Sequence, residues 1–251
     1  MSYTATDLSH YWKWFQPGSK GPWRATLAES QSAGMSRDYA KRVDLELKRQ
    51  TVILDVADRL RRELGWSEVT VDQVARCAGL GRTTIYLQFR NKTDIHLALI
   101  ERALCLVRQW LLRASREPRQ GLEKVLAMSR AFAEFAIEER HHFDACSEFM
   151  SLHTSGSEPS PNEAACLAVL GQIHACFEKA IAQGYRDGSI NAALGSPSVI
   201  STCVWALLQG GMQLTVARSA TPETVCERQR EWCEHMLGHL RHMLHGSSMV
   251  S

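Results

Sequence analysis

The chain has 251 residues, 45% apolar and 22% charged, which suits one large or two modest globular cores and excludes a disordered or collagen-like chain. Its net charge of +2 hides an asymmetry: residues 1–40 carry four basic and three acidic groups, 41–103 twelve and nine, and 104–251 thirteen and fifteen. The larger positive excess, three charges, sits in the middle segment, as a phosphate-binding surface would want, and the last segment has no electrostatic reason to approach nucleic acid.

Residues 1–40 hold Trp12, Trp14, Phe15, Trp23 and two prolines, with little periodicity. They read as an N-terminal extension that is partly disordered or lies ahead of the true start, Met35 being the alternative first residue. A further reading makes Lys13, Lys20 and Arg24 an arm that touches DNA phosphates. The opening MSYTATDLSHYWKWF lacks a basic region followed by an apolar one, so no signal peptide is expected. No apolar run approaches the ~18 residues of a membrane span, so the expectation is a cytoplasmic protein without a membrane partner. The eight scattered cysteines form no CxxC pair and read as reduced core residues.

Strand signals are nearly absent, and helical periodicity runs from about residue 40 to 245, so the expected fold class is all-α. The first strong helix spans about Tyr39 to Leu64. Ile53, Val56, Ala57, Leu60 and Leu64 make its apolar stripe, and Gly65 stops it.

The segment Thr70 to Phe89 carries the functional signal. Thr70 followed by Gln73 is a capping box that starts a short helix. Val71, Val74, Ala75 and Ala78 face inward, and Gly79 ends the helix in a left-handed turn. Leu80 plugs the angle, and a second helix runs from about Arg82 to Phe89 with Ile85 and Phe89 toward the core. This is a helix-turn-helix whose second helix enters the major groove of double-stranded DNA. Arg82 can bind guanine O6 and N7, and Gln88 can pair with adenine. Thr83 and Thr84 suit phosphate or a thymine methyl, and the Tyr86 hydroxyl suits a phosphate. Lys92 opens the next helix, where its ammonium and the free N–H groups favour an anion. Thr70, Gly81 and Leu87 complete the expected DNA-binding set.

From Ile53 to about Ala103 the chain resembles the DNA-binding domain of the tetracycline-repressor (TetR) family. The resemblance rests on Ile53-Leu54-Asp55-Val56-Ala57, Thr70-Val71, Val74-Ala75, Ala78-Gly79, Thr84-Ile85-Tyr86, Phe89 and Lys92. It implies an all-helical homodimer with an N-terminal three-helix reader and a larger C-terminal effector-binding and dimerisation domain. It further implies a repressor released from its operator DNA by a small apolar or amphipathic effector, with no cofactor. The chain departs from the family's pattern at Gly81, Thr83, Leu87 and Gln88, where other residues are usual. It also departs at Arg61, where a Phe is usual and where Leu64 is expected to fill the volume one turn later. The domain reading is 1–40 extension, 41–103 reader and 104–251 effector domain.

The helix from Lys92 to about Ala114 is expected to be a lever, with Ile95, Leu99, Ala103 and Leu106 packing on the motif. Further helices are expected at about 119–137, 139–152, 161–187, 197–218 and 222–245, with a linker at 154–161. The last two suit a four-helix bundle shared by two copies through about 197–245. Gly210-Gly211 in mid-helix suggests a close approach at that interface or beside a ligand, or a kink. Met128, Phe132, Phe135, Phe143, Met150, His174, Phe177, Trp205 and Met212 are the candidate lining of an effector cavity; ordinary core is the competing reading. His235, His239 and His242 read as a surface or interface cluster, not a metal site. No Walker, HExxH, GxSxG or Rossmann pattern occurs, so an enzyme is not expected. Glu138, Glu139, His141, His142 and Asp144 form a polar cluster that most simply covers a helix end. A helical adaptor with a helix-turn-helix-like corner is the other alternative.

Overall fold

The computed structural model describes residues 37–117, 119–152, 159–217 and 222–245. The proposed arm residues Lys13, Lys20 and Arg24, and residues 154–158 of the linker, lie outside the described residues. Within them every regular element is helical. The order is α1 (Arg37–Leu64), a 3₁₀ turn (Trp66–Glu68), α2 (Val71–Cys77), α3 (Arg82–Gln88), α4 (Lys92–Ala114), α5 (Gly121–Glu138), α6 (Arg140–Leu152), α7 (Pro161–Asp187), a 3₁₀ turn (Ala192–Leu194), α8 (Pro197–Ala217) and α9 (Pro222–His245). The fold is all-α.

Two compact units divide these elements. One holds the described residues up to Ile95 together with Pro159–Ala165; the other holds the rest. The boundary expected near residue 103 thus lies inside the second unit. Ala103, expected to pack on the motif, is fully buried in the second unit's core, and Leu106 packs against that core.

In the first unit α1 packs on the 3₁₀ turn, α2 and α3. Ile53, Ala57 and Leu60 are buried along its inner face. Leu64 is 45% exposed, so it does not fill the volume expected of it. Arg61 itself is buried, with Nη2 3.3 Å from Asp58 Oδ1, while Arg62 Nη2 lies 2.5 Å from Asp58 Oδ2. A guanidinium can enter an apolar core only with a charged partner, and Asp58 one turn back supplies it.

In the second unit α5 packs against α6, α8 and α9, and α8 against α9. Phe132, Phe135, Phe143 and Phe177 are fully buried there. Two glycines mark close approaches. A Cβ on Gly121 would lie 2.1 Å from the backbone nitrogen of Gly184, and one on Gly211 would lie 1.8 Å from Cζ2 of Trp232. A Cβ on Gly210 would meet no atom within 4 Å. Of the mid-helix pair, Gly211 therefore serves packing of α8 on α9 inside one chain.

Pro161–Asp187 is long and apolar enough, by length and composition, to cross a membrane, which the run-length reading passed over. It packs as a core helix: Cys166, Ile173, Phe177 and Ile181 on it have no exposed surface. All eight cysteines are free; Cys105, Cys146, Cys166 and Cys233 are buried, but Cys77 and Cys203 are exposed and so are not core residues. Burial pushes the Cys233 thiol up to about 11, which keeps it protonated and inert.

Candidate nucleic-acid interface and effector unit

The capping box forms as its residues require. Gln73 N donates to Thr70 Oγ1 at 3.2 Å, and Thr70 N donates to Gln73 Oε1 at 2.7 Å, so α2 starts with two satisfied donors. Val74 and Ala75 are its buried residues. Gly79 takes φ 65°, a left-handed value that a side chain would resist, and Leu80 N then donates to Ala75 O at 2.9 Å. The chain turns there and reaches Gly81, the N-cap of α3, which makes no side-chain cap bond.

Ile85 and Phe89 are buried beneath α3. Arg82, Thr83, Tyr86 and Leu87 are exposed, and Thr84 and Gln88 are half-buried. Six of the nine expected DNA-binding residues thus lie together on a seven-residue helix, most of them open to solvent. Leu87, 77% exposed, is the most exposed large apolar side chain in the described chain. Such exposure wastes apolar surface unless something covers it.

Two of the cations are held by partners that sequence spacing did not show. Arg82 Nε lies 2.8 Å from Asp72 Oδ1, on the helix before the turn. A hydrogen bond with Tyr86, then the charge of Asp72, raises the Arg82 pKa further above its ordinary value. Lys92 Nζ donates to Ser67 O at 2.9 Å and sits 5.2 Å from the centre of the Trp66 ring. Near the start of α4, Asp94 N donates to Asn91 Oδ1 and Arg90 N donates to Asp94 Oδ2. A phosphate at Lys92 would compete with Ser67 and Trp66 for the ammonium.

In the second unit the expected effector residues split. Met128, Phe132, Phe135, Phe143, Phe177, Trp205 and Met212 are buried, His174 is half-buried, and Met150 is 38% exposed and leaves the set. Phe132 meets Phe143 at 6.0 Å and Trp205 at 4.9 Å between ring centres, both edge-on, and His174 lies 5.6 Å from Trp205. Burial lowers the His174 pKa against the opposing charge of Glu178. Ser201 Oγ donates to His174 O at 3.1 Å. Trp205 Nε1 and Gln209 Oε1, one turn apart on α8, are buried without a hydrogen-bond partner among the described residues. Gln209 Nε2 donates to Ser147 Oγ at 2.8 Å.

A separate open groove of about 960 Å³ is lined by residues from the end of α4, from α5 and α7, and from the start of α8. None of the expected effector residues lines it. His235, His239 and His242 are exposed on α9, and no group of three metal-ligating side chains occurs among the described residues. The polar cluster near 140 is consumed at the α5–α6 junction, where His142 Nδ1 is 3.1 Å from Glu139 Oε2 and Arg140 Nε is 2.9 Å from Asp144 Oδ1.

Residues 53–99 match the family model of bacterial regulatory proteins, tetR family. No curated protein matches the chain. Among solved structures, the fatty acid degradation regulator FadR from Bacillus halodurans is similar, at 17% identity and TM-score 0.56 over 77% of this chain and 97% of that one. FadR from Bacillus subtilis in complex with stearoyl-CoA matches at 16% identity and TM-score 0.57, over 74% and 97%. A tetR-family regulatory protein from Rhodococcus RHA1 matches at 13% identity and TM-score 0.57, over 80% and 99%. These likenesses concern the fold alone, whereas the helix-turn-helix match is one of sequence. Residues 53–99 therefore resemble in sequence the helix-turn-helix segment of the tetR family of bacterial regulatory proteins, and the chain shares the fold of the solved structures named above.

Proposed function

We propose that the protein is a ligand-responsive repressor that binds operator DNA through α3 as a homodimer and releases it when a small effector binds the second unit. The observation that carries the DNA reading is the α3 face: Arg82, Thr83, Tyr86 and Leu87 stand exposed over a buried Ile85 and Phe89. A seven-residue helix held so firmly from beneath presents its outer side chains in fixed positions, as base reading requires. Arg82 and Gln88 are the proposed base contacts. Thr70, Thr83, Thr84, Tyr86 and Lys92 are the proposed backbone contacts, with Gly81 and Leu87 against the groove wall.

A homodimer through α8 and α9 is supported by apolar side chains that no part of the described chain covers. Val199, Leu207 and Leu214 on α8 are 57%, 36% and 64% exposed, and Met243 on α9 is 53% exposed. The effector reading rests on the aromatic core around Trp205. An indole donor and an amide acceptor buried without partners call for a group that accepts from one and donates to the other, as a hydroxyl does. The Bacillus subtilis FadR structure carries stearoyl-CoA, which agrees with an apolar or amphipathic effector. Helix α4 begins in the first unit and runs on into the second. A ligand that binds one placement of α4 more tightly shifts the DNA-binding state by that difference in affinity.

The test is fluorescence anisotropy with the DNA upstream of the protein's own gene. Saturable binding is expected, weakened across all sequences by Tyr86→Ala or Lys92→Ala and relaxed in base preference by Arg82→Ala. Wild-type protein that binds no upstream fragment at low salt refutes the reading.

A further inference from the structure

The groove on the second unit differs in chemistry from the aromatic core. At about 960 Å³ it lies at the upper end of the range of small-molecule sites. Its floor is apolar or small, from Leu112, Ala175, Cys176, Ala180 and Ala182. Its charged lining is three cations, Lys124, Lys179 and Arg186, against one acid, Glu178. The three cations are not equivalent. Lys124 Nζ already donates to Gln183 Oε1 at 2.9 Å and is half-buried. Lys179 and Arg186 are exposed, seven residues apart on one face of α7, about 10 Å along the helix. Positive charge also backs the floor. Arg108 donates to Gln172, a lining residue, and both Arg108 and Lys179 act electrostatically on Cys176. Arg108 Nε is buried and has no hydrogen-bond partner among the described residues. The first turn of α8, with Ser196, Pro197 and Ser198, closes one side and adds the positive end of a 21-residue helix.

We infer that this groove binds the anionic head of an amphiphile, a carboxylate or a phosphate on an alkyl chain. Lys179 and Arg186 take the head, and the tail lies on the alanine and cysteine floor. A neutral amphiphile would leave the cations unpaired, and an inorganic anion would leave the floor uncovered. The groove and the aromatic core share a helix face: Ser198 lines the groove, and Ser201, Trp205 and Gln209 follow on α8 at spacings of three and four. As a second effector, distinct from the ligand of the aromatic core, this amphiphile rests on the regulator reading above; the binding itself does not.

The full chain is titrated calorimetrically with dodecanoate, dodecyl phosphate, dodecan-1-ol and inorganic phosphate, each below its aggregation limit. At least one anionic amphiphile is expected to bind tenfold or more tightly than dodecan-1-ol and inorganic phosphate. Which of the two wins identifies the head as carboxylate or phosphate. The double variant Lys179→Glu/Arg186→Glu is expected to lose tenfold or more in that affinity while its ligand-free thermal midpoint stays within about 2 °C of wild type, since both side chains are exposed. Ala175→Phe, also at an exposed position, is expected to weaken the amphiphile and leave inorganic phosphate unchanged. Equal binding of dodecan-1-ol and the anions, or a double variant that binds like wild type, overturns the inference. Anisotropy on upstream DNA with and without the ligand separates the two readings. A ligand that binds the groove and lowers DNA affinity supports both. One that binds without changing DNA affinity keeps the site and overturns its role as effector site. A protein that binds the ligand but no DNA keeps the site and overturns the regulator reading.

Discussion

Replacing Gly211 by alanine sets a methyl carbon 1.8 Å from Trp232 Cζ2 and 2.4 Å from Cε2 and Cη2. Non-bonded carbons rest at roughly 3.5–4.0 Å, so the indole ring has to move by about 2 Å. Overpacking of this kind costs about 1–3 kcal/mol. The substitution also gains about 1 kcal/mol of helix propensity, because both glycines lie within α8. The net expectation is a loss of up to about 2 kcal/mol, or a fall in thermal midpoint of up to roughly 8 °C for a chain of this size. Gly210→Ala meets no atom within 4 Å and keeps only the gain, a rise of roughly 2–4 °C. In a Trp232→Ala background the clash is gone, and Gly211→Ala is expected to raise the midpoint as well. Thermal unfolding followed by far-ultraviolet circular dichroism reads all three. Gly211→Ala as stable as Gly210→Ala in the wild-type background refutes the packing assigned to α8 and α9.

Asp72→Asn frees Arg82 and removes a negative charge beside the recognition helix. It is expected to tighten binding to unrelated DNA and, by removing one negative charge from the DNA-facing surface, to steepen the salt dependence by about one released counterion; an unchanged slope contradicts a DNA-facing role for the pair. Leu214→Glu combined with Val199→Glu is expected to give a folded monomer by light scattering where the wild type gives a dimer. A dimer that survives both changes moves the interface off α8. Asp187 accepts from Ser189 Oγ at 2.6 Å and Gly121 N at 2.9 Å, and these bonds hold its carboxyl below the usual 3.8. A depressed folded pKa contributes stability above the unfolded value that is lost as pH falls through the folded one. The difference in midpoint between wild type and Asp187→Asn is therefore expected to shrink below about pH 4. A constant difference from pH 6 to pH 2 contradicts that linkage.

The helix-turn-helix was legible because its determinants are local. A capping box spans four residues, a left-handed glycine is one residue, and the apolar positions follow helical spacing. The partners of its cations were not legible. Asp72 and Arg82 are ten positions apart across a turn, and Ser67 and Lys92 are joined by a bond across 25 positions. Arg61 shows the same limit. Charge suggested the surface and left the apolar volume to Leu64, but Asp58 one turn back carries Arg61 into the core and Leu64 stays exposed. In the second unit the aromatic residues were found by type, and most lie in one core. Type alone did not reveal that Met150 points outward. The groove collects residues from four helices, so no window of sequence contains it. Gly210 and Gly211 look identical in sequence, and only the position of Trp232 distinguishes them.

The central claim is that α3 reads operator DNA, and a salt titration of binding to the upstream fragment tests it most directly. Saturable binding is predicted, with the logarithm of the association constant falling linearly with the logarithm of salt concentration, and with Arg82→Ala both weaker and less selective. Absence of binding at about 50 mM salt, or an affinity indifferent to salt, contradicts it.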